Sequence, residues 1–410
     1  MPVSSPRGFT IEEARERFIA DLRPIDGENV PLHAALGRVL AEPILAGRMV
    51  PDTPRAAVDG WAVCAGDTLS ASQETPVRLR IVGSALAGHP ASDGLKPGET
   101  IRITTGGVVP HGADAAEYQE VCRVEEDCVV LSRRVAPGAN VRQAGEDMSP
   151  GQELLSLGEI VRPESLGLLA TLAQQTVRAR RRLRVRFVST GDEIYRAGEP
   201  LPPGGTYDSN SLQIAAHLQS LGAVVDLRGP VEDSAEAIAR ACRGEDFDFL
   251  ITSGGVSVGP ADRIGEVGRI LGASVRFHWS RMRPGAPTMG LRLGDRPWLG
   301  LSGNPLSAQV GFDIFGRAAV ARLMGTESSL IRTAARLTEE FRAKAPDAPR
   351  LLRASLALQE GAIEAKVHPY QSSGGVRAMA QTNGYVVLPE GVAVLPQGSS
   401  VEAFLIRTQS

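Results

Sequence analysis

The 410-residue sequence predicts a multidomain protein of the α/β-plus-β class, with a central doubly wound parallel-sheet domain and two mostly β domains. From residue 184 onward, apolar runs of strand length alternate with helical patterns, which is typical of a parallel sheet covered by helices on both faces. Short β-rich runs separated by Gly, Pro and Asp fill residues 50–135, and similar runs return after residue 330. A chain of this length can form about two to four domains.

The N-terminal part is predicted to contain two helices followed by the first β domain. Thr10 as the N-cap, with Glu12 and Glu13 in the first turn, predicts a helix over 10–20. A second helix is predicted over 32–41 and a third, beyond the β domain, over 164–173. The strands of the β domain are expected over 78–82, 100–105, 115–124 and 128–132.

The α/β domain is predicted to contain strands and helices in alternation, joined by right-handed crossovers. The strands are expected over 185–189, 223–227, 247–252 and 298–301. The helices are expected over 209–221, 234–242, 261–271 and 306–323, the last one ending at Gly325. Turns at Glu360-Gly361, Asn383-Gly384 and Gln397-Gly398 then predict a small C-terminal β domain.

Composition argues against several classes of protein. The net charge is −3 and the pI about 6.1, so no nucleic-acid partner is indicated. No apolar run approaches the roughly 20 residues that span a bilayer, and the N-terminus lacks the apolar core of a signal peptide, so we expect a cytoplasmic protein. The four cysteines form no C-x-x-C pair and the six histidines show no metal-ligand spacing.

Three polar, glycine-rich loops follow predicted strands of the α/β domain and form the principal candidate site. In an open α/β sheet, ligands bind beyond the carboxyl ends of the strands. Backbone N–H groups in such loops bind anions, and a carboxylate beside them is more consistent with a metal ion than with the anion itself. The loops therefore predict a phosphorylated small molecule with a divalent cation. They are Ser189-Thr-Gly-Asp-Glu193, Thr252-Ser-Gly-Gly-Val-Ser-Val-Gly-Pro-Ala-Asp262 and Leu301-Ser-Gly-Asn-Pro305.

Other interpretations of these segments remain open. Each loop alone could be a plain strand–turn–helix junction, and Asp262 could be the N-cap of the helix that follows. Tyr207-Asp-Ser-Asn210 is predicted to cap a helix at the same sheet edge. No Ser/His/Asp arrangement indicates covalent catalysis. In the β domain, the turn at Asp59, the Thr104-Thr-Gly-Gly107 turn and the segment ending at Asp147 could be ordinary loops or linkers.

Together these segments closely resemble the molybdopterin molybdenumtransferase family, which comprises the MoeA and gephyrin E-domain proteins of molybdenum cofactor synthesis. The resemblance covers nearly all of the chain, with several motifs in the order found in the family. The matching segments are Asp59-Gly-Trp-Ala-Val63, Pro97 to Gly106, Gly112 to Ala115, Val141 to Asp147, Ser189 to Glu193, Tyr207 to Asn210, Thr252 to Asp262, Arg283 to Pro287, Gly303-Asn-Pro305 and Asn383 to Gly391.

The resemblance implies four domains and an activity. The domains are an elongated linking domain (1–45 plus 148–180), a β-rich domain (46–147), an α/β domain of the molybdopterin-binding type (181–328) and a small β-barrel (329–410). The implied reaction inserts molybdate into adenylylated molybdopterin with Mg²⁺ and releases AMP. The resemblance also implies a homodimer whose active sites are completed across subunits. The implied partners are molybdopterin adenylyltransferase and downstream molybdenum-cofactor proteins, with no nucleic acid and no membrane.

The loops and the resemblance together give a set of expected site residues. Catalytic roles are expected for Asp59, Thr105, Asp147, Glu193 and Arg283. Binding of the pterin substrate is expected for Thr190, Gly191, Asp192, Ser253, Gly254, Gly255, Ser257, Pro284, Pro287, Gly303, Asn304, Pro305 and Ser373. Binding of Mg²⁺ is expected for Asp262, Glu193 and Asp192.

The chain departs from the family pattern at one charged motif. Where the family usually has Lys-Pro-Gly-Lys-Pro, this chain has Arg283-Pro-Gly-Ala-Pro287, so Ala286 replaces a cation. This change predicts an anion pocket that is less positive than is usual for the family. This departure leaves open the alternative of a non-catalytic scaffold or pterin-binding protein. A second alternative is a molybdopterin adenylyltransferase, which shares the α/β domain.

Overall fold

The computed structural model describes residues 8–256, 263–372 and 375–406. The chain divides into two compact units. The first comprises the described residues of Met1–Glu42, Leu157–Leu166 and Gln175–Ser410, and the second comprises Pro43–Ser156 and Gly167–Gln174. The α/β domain and the C-terminal β domain both belong to the first unit.

The helices agree with most of the predictions. Thr10 and Glu13 form a reciprocal capping box at the start of the first helix, with bonds of 2.9 and 3.2 Å. A π-helical segment, Phe312–Gly316, joins two helices into the long helix predicted before Gly325. Within the described residues the helices are α1 Ile11–Ile19, α2 Pro163–Thr171, α3 Ser209–Ser220, α4 Ala235–Cys242, α5 Arg263–Leu271, α6 Pro305–Gly311, α7 Arg317–Met324 and α8 Val376–Met379.

The helix predicted over 32–41 is wrong. Only Leu32–Ala34 forms a short 3₁₀ turn. Gly37 then takes a φ of +73°, which a right-handed helix does not allow. The following Val39 and Leu40 are both buried and pair in β-bridges with Ile160 and Ala179. Pairing with distant segments therefore prevails over the local helical pattern.

The first half of the chain is rich in short strands. They are β1 Gly27–Pro31, β2 Ile44–Leu45, β3 Arg55–Ala56, β4 Gly60–Val63, β5 Val77–Ala85, β6 Glu99–Ile103, β7 Ala115–Tyr118, β8 Arg123–Glu125, β9 Cys128–Leu131, β10 Val141–Arg142, β11 Glu153–Leu155 and β12 Thr176–Arg180. In the second unit a six-stranded sheet has the order β7-β4-β6-β5-β9-β8, and β10-β3 and β11-β2 are small ladders. The strand predicted over 115–124 is interrupted by a 3₁₀ turn at Gln119–Val121.

The α/β domain contains a six-stranded sheet. The strands of this sheet are β13 Arg184–Thr190, β16 Val224–Val231, β17 Phe249–Ser253, β18 Ser274–His278, β19 Met289–Leu293 and β20 Arg296–Leu301. Two further strands of the domain, β14 Ile194–Tyr195 and β15 Thr206–Tyr207, form a separate small ladder. The order is β16-β13-β17-β20-β19-β18. The first four strands are parallel, whereas β18 and β19, which the sequence pattern did not predict, are antiparallel.

Helices cover both faces of this sheet, which confirms the doubly wound α/β class. Phe249 and Ile251 of β17 pack in a core with α3 and the π segment. The intervening Leu250 packs in a second core with α4 and α5. Successive buried residues of one strand are expected to lie in different cores when both faces are covered, because successive side chains point to opposite faces.

The C-terminal region is a small β-barrel with its own core. Its strands are β21 Leu330–Leu337, β22 Phe341–Arg342, β23 Arg350–Gln359, β24 Ala362–Val367, β25 Gly384–Leu388, β26 Val394–Leu395 and β27 Ser400–Ile406. The closed order is β21-β24-β23-β25-β27. Across the described part of the chain, the structure contains no helix that is long and apolar enough to cross a bilayer.

Candidate functional site

The sheet register brings the three predicted loops to one edge. Strands β13, β17 and β20 are neighbours and parallel. Ser189 pairs with Ser253, and Ser253 pairs with Leu301, so the strands end at nearly the same level. The expectation that three glycine-rich loops share the carboxyl edge of the sheet is confirmed. Binding of a ligand there stays a prediction.

Gly254 is where two of these loops touch through their backbones. Its N–H donates to the carbonyl of Leu301 at 3.0 Å, so this N–H is not available to an anion. Its φ is +101°, and a Cβ atom at this position would lie 2.4 Å from the carbonyl oxygen of Thr190. Gly303 lies across from it, since a Cβ there would be 3.6 Å from the Gly254 Cα. Only glycine fits such a close approach.

Asn210 at the start of α3 is a site residue whose role the sequence did not indicate. Its Nδ2 donates to Ser253 Oγ at 2.8 Å and to the Gly303 carbonyl at 2.9 Å, so one amide links two of the loops. The cap of α3 is Asp208, as the Tyr207-Asp-Ser-Asn210 pattern suggested. Asn210 Oδ1 and Thr190 Oγ1 are buried without a hydrogen-bond partner among the described residues. Such orphaned groups are uncommon in a native structure.

The carboxylates of the first loop lie at the same edge. Asp192 Oδ1 accepts from the N–H of Asp233 at 3.0 Å. Glu193 folds back over Gly191, because a Cβ there would lie 2.9 Å from Glu193 Oε2. Both carboxylates are exposed. No group of three or more His, Cys, Asp or Glu residues within the described ranges could hold a metal ion. Ser257 and Asp262 lie outside the described residues.

A cavity of about 490 Å³ lies beside the motif in which the chain departs from the family. Arg283 is exposed and forms a two-pronged ion pair with Asp347, with both bonds at 2.9 Å. This pairing lowers the pKa of the Asp347 carboxyl. Arg283, which was expected to bind the oxyanion, is therefore already paired with a carboxylate. The lining residues are Arg283, Pro284, Gly285, Ala286, Pro287, Leu306, Ser307, Arg350, Leu351, Gln371 and Ser372.

Arg350 is a lining residue that the sequence analysis missed. Its backbone lies next to Arg283 in a β-bridge, and the residue lines the same cavity. The chain has only three lysines, so arginine is its usual cation. A single arginine in the sequence therefore did not indicate an anion-binding site. Asn304 caps α6 through a 3.5 Å bond from the N–H of Ser307, with Pro305 in the first turn. Ser373 lies outside the described residues.

The second unit brings together two of the expected catalytic residues. Asp59 Oδ1 accepts from the N–H of Thr105 at 2.7 Å and from its hydroxyl at 2.9 Å. These bonds lower the pKa of Asp59, because they favour its charged form. Asp147 is exposed, and its N–H donates to the Val50 carbonyl at 3.1 Å. The catalytic roles of all three residues stay predictions.

Three family models match successive parts of the chain. The model described as the MoeA N-terminal region (domain I and II) matches residues 9–173. The model described as a probable molybdopterin binding domain matches residues 186–322. The model described as the MoeA C-terminal region (domain IV) matches residues 334–406.

Curated relatives and solved structures match over almost the whole chain. Molybdopterin molybdenumtransferase of Bacillus subtilis (strain 168) is 34% identical over 407 residues, which are 98% of this chain and 94% of the relative. Molybdopterin molybdenumtransferase 2 of Mycobacterium tuberculosis (strain ATCC 25618 / H37Rv) is 33% identical, covering 96% and 98%. The crystal structure of a molybdopterin biosynthesis MoeA protein from Pyrococcus horikosii superposes with a TM-score of 0.85 at 30% identity, covering 98% and 99%.

Proposed function

The chain belongs to the molybdopterin molybdenumtransferase (MoeA) family of enzymes, and from that premise we propose that it inserts molybdate into adenylylated molybdopterin with Mg²⁺ and releases AMP. Its general role is in molybdenum cofactor biosynthesis. The observation that carries the finer proposal is the edge where the loops after β13, β17 and β20 meet in the domain that matches a molybdopterin binding model.

The proposed pterin site uses the linked loops as a rigid platform. The amide of Asn210 and the backbone bond from Gly254 to Leu301 hold the loops together before any ligand binds. Preorganised polar loops bind an anion at lower cost, because their dipoles need not reorient.

The carboxylates of the same loop fit a role in holding Mg²⁺. This ion usually keeps several waters and binds one or two carboxylates together with substrate phosphates, so a full set of protein ligands is not required. Glu193 and Asp192, with Asp262 as the third predicted ligand, would hold it. When bound, Mg²⁺ would neutralise the phosphate charge of the adenylylated pterin.

The cavity beside Arg283 is the proposed site for molybdate. Arg283 and Arg350 are two basic residues of its lining, which suits an oxyanion. Asp347 must give way, or share Arg283, when molybdate enters. We further propose a cytoplasmic homodimer that receives its substrate from molybdopterin adenylyltransferase and passes its product to downstream molybdenum-cofactor proteins.

Reconstitution tests this function directly. Purified protein is mixed with adenylylated molybdopterin, molybdate and Mg²⁺, and both AMP release and activation of an apo-molybdoenzyme are measured. We expect both signals, and both should depend on molybdate and Mg²⁺. Pterin binding without AMP release would instead support the scaffold alternative. Formation of adenylylated molybdopterin from ATP would support the adenylyltransferase alternative.

A further inference from the structure

His217 of α3 lies between two side chains that can only donate hydrogen bonds to it. Arg317 Nη2 is 3.0 Å from its Nδ1, and Gln309 Nε2 is 3.1 Å from its Nε2. A guanidinium contains no acceptor. The orientation of the Gln309 amide is fixed, because its Nε2 also donates to the Asp313 carboxylate at 2.7 Å, where a carbonyl oxygen would be repelled. His217 therefore takes part in these contacts as an acceptor.

Only the neutral form of His217 can accept either bond. A neutral imidazole has one unprotonated nitrogen, whereas an imidazolium carries a proton on both and would face two donors. Burial lowers the pKa of His217, and the charge of Arg317 adds to this effect against the opposing charge of Asp313. The ring stacks on Phe312 of the π segment, with 6.0 Å between ring centroids. Titratable or charged groups reach this network from the π segment, α7 and the barrel, namely Asp313, Arg317, Tyr385 and Arg353.

Helices α3 and α6, which the His217–Gln309 contact joins, both begin at the proposed pterin edge. Asn210 in the first turn of α3 donates to the Gly303 carbonyl at 2.9 Å, and Asn304 next to it caps α6. His217 lies about two turns beyond Asn210, on the same side of α3. Gln309 lies in the second turn of α6. The contact therefore limits movement of α3 against α6 close to the ends that carry the loops.

We propose that His217 is a positioning residue for pterin binding: as a neutral acceptor it ties α3 to α6, which keeps Asn210 against the loop at Gly303. His217 acts through these helices and does not touch the substrate. Protonation of the ring removes the acceptor, so the tie and the affinity for the pterin should both weaken in acid. This inference rests on the proposed function of the sheet edge.

Two substitutions of His217 test the tie. His217→Leu removes the acceptor, whereas His217→Gln keeps one and cannot be protonated. At pH 7.5 we expect the Kd for adenylylated molybdopterin, measured by equilibrium dialysis, to rise about fivefold in His217→Leu and to stay within about twofold of the wild type in His217→Gln. The KM for the pterin in AMP release should follow the Kd, while kcat changes less than about twofold. A fall in kcat with an unchanged KM overturns the inference.

Asp248→Asn is the matched structural control. Asp248 binds Arg181 at 2.6 and 2.8 Å and the N–H of Arg184 at 2.9 Å. It lies directly before β17, at the opposite end of that strand from Ser253. This variant should lose thermal stability and keep the pterin affinity of the wild type. An equal loss of affinity in His217→Leu and Asp248→Asn would mean that His217 is only structural.

Gln309→Met removes the same tie from the side of α6, and it carries the test if His217→Leu does not fold. It leaves Asp313 with its bonds from Arg317 and Tyr385. If His217 and Gln309 act through one tie, the double variant should bind the pterin about as well as either single variant. Losses that multiply in the double variant would mean that the two residues act independently, which overturns the inference.

The pH profile of binding gives a further readout. The pKa of His217 is lowered from 6.5, so its contribution to affinity is complete above about pH 6.5 and is lost as the pH falls. Relative to His217→Gln, the wild type should lose about twofold or more in affinity between pH 7.5 and pH 5.5. Titration of the pterin itself cancels in this comparison. Parallel profiles overturn the proposed acid sensitivity.

The outcomes separate this inference from the proposed function. A wild type that binds the pterin but releases no AMP contradicts the proposed insertion, and the dialysis measurements still judge His217. A wild type that does not bind the pterin contradicts the proposed pterin site, and the inference falls with it. A wild type that binds and works, with unchanged affinity in His217→Leu and Gln309→Met, overturns the inference alone.

Discussion

Gly254 illustrates how one residue can fix the geometry of a binding edge. Gly254→Ala would place a Cβ 2.4 Å from the Thr190 carbonyl, so the loops after β13 and β17 would have to separate. We expect the affinity for the pterin substrate to fall by about tenfold or more. Equilibrium dialysis of the pterin measures this change, and thermal unfolding in parallel reports any loss of stability.

Gly272→Ala is the matched control for that variant. Gly272 also has a left-handed φ, +70°, but a Cβ there would meet no atom within 4 Å, so the substitution costs only the backbone strain. It should lower stability by about 1–2 kcal/mol and leave pterin affinity unchanged. Equal loss of affinity in both variants would mean that general destabilisation, rather than the contact with Thr190, explains the effect.

Asp347 competes with any anion for Arg283. Asp347→Asn removes this competing charge, so we expect the molybdate concentration for half-maximal insertion to fall by about two- to fivefold at low salt, with a smaller effect at high ionic strength. Ala286→Lys adds a cation at the same cavity and should act in the same direction. Molybdate titrations of AMP release at two salt concentrations check both.

Glu339→Gln is the control for Asp347→Asn. Glu339 pairs with Lys366 at 2.7 Å and is similarly exposed, but neither residue of that pair lines the cavity beside Arg283. Its molybdate titration should match the wild type. A shift as large as that of Asp347→Asn would point to a general effect of surface charge.

Among the helices, the π segment organises a buried polar network between α3, the long helix and the barrel. Asp313 lies within the segment and is fully buried. It accepts from Arg317 Nε at 2.6 Å, Gln309 Nε2 at 2.7 Å and the Tyr385 hydroxyl at 2.6 Å. His217 of α3 completes the network through Arg317 and Gln309, at 3.0 and 3.1 Å. The bonds of Gln309 and Arg317 to Asp313 join successive helical turns, whereas those of Tyr385 and His217 join residues distant in sequence and so depend on tertiary packing.

This network predicts a pH dependence of stability. Burial lowers the pKa of His217 below its ordinary 6.5, so the unfolded chain binds a proton more readily than the native protein. The contribution of His217 is therefore complete above about pH 6.5 and is lost as the pH falls below it, by at most about 1.4 kcal/mol per pH unit. Denaturant unfolding between pH 7.5 and pH 5.5 should show a shallower pH dependence for His217→Gln, while His33→Gln, at an exposed position, should follow the wild type.

The success of sequence-based prediction varied with how local each feature is. The capping box at Thr10 and the strand–loop–helix junctions depend on neighbouring residues, and both were predicted. The helix expected over 32–41 failed because Leu40 pairs with a residue far along the chain. Strands β18 and β19 were also missed, although the two-residue Gly294-Asp295 turn between β19 and β20 is a local hairpin signal.

The same distinction applies to the candidate site. The glycine-rich loops could be located from the sequence, since their position after strands fixes the edge on which they lie. The link made by Asn210, the Arg283–Asp347 pair and the proximity of Arg350 each join residues that the sequence keeps 43 or more positions apart. Such contacts follow from the packing of the domains and could not be derived from spacing.

For the assembly as a whole, we predict that active sites are completed across a homodimer. Asp59 and Thr105 belong to one compact unit of the chain, and Glu193 and Arg283 belong to the other. Asp59→Asn preserves the acceptor for Thr105 while removing the charge, and Glu193→Gln removes a proposed Mg²⁺ ligand. Each homodimeric variant should lose activity, by at least about a hundredfold if it removes a group that acts in the transition state.

Mixed dimers of the two variants decide the arrangement. If sites form across subunits, a heterodimer of Asp59→Asn and Glu193→Gln contains one site with both defects and one intact site. Co-expressed, doubly tagged heterodimers should then recover about half of the wild-type activity per dimer, because one of two sites works. Heterodimers of wild type with either variant serve as the control, because their activity shows that one intact subunit can work beside a defective one. If these controls are active and the heterodimer of the two variants forms but stays inactive, the prediction of sites across subunits is contradicted. That pair of results would assign each active site to a single chain.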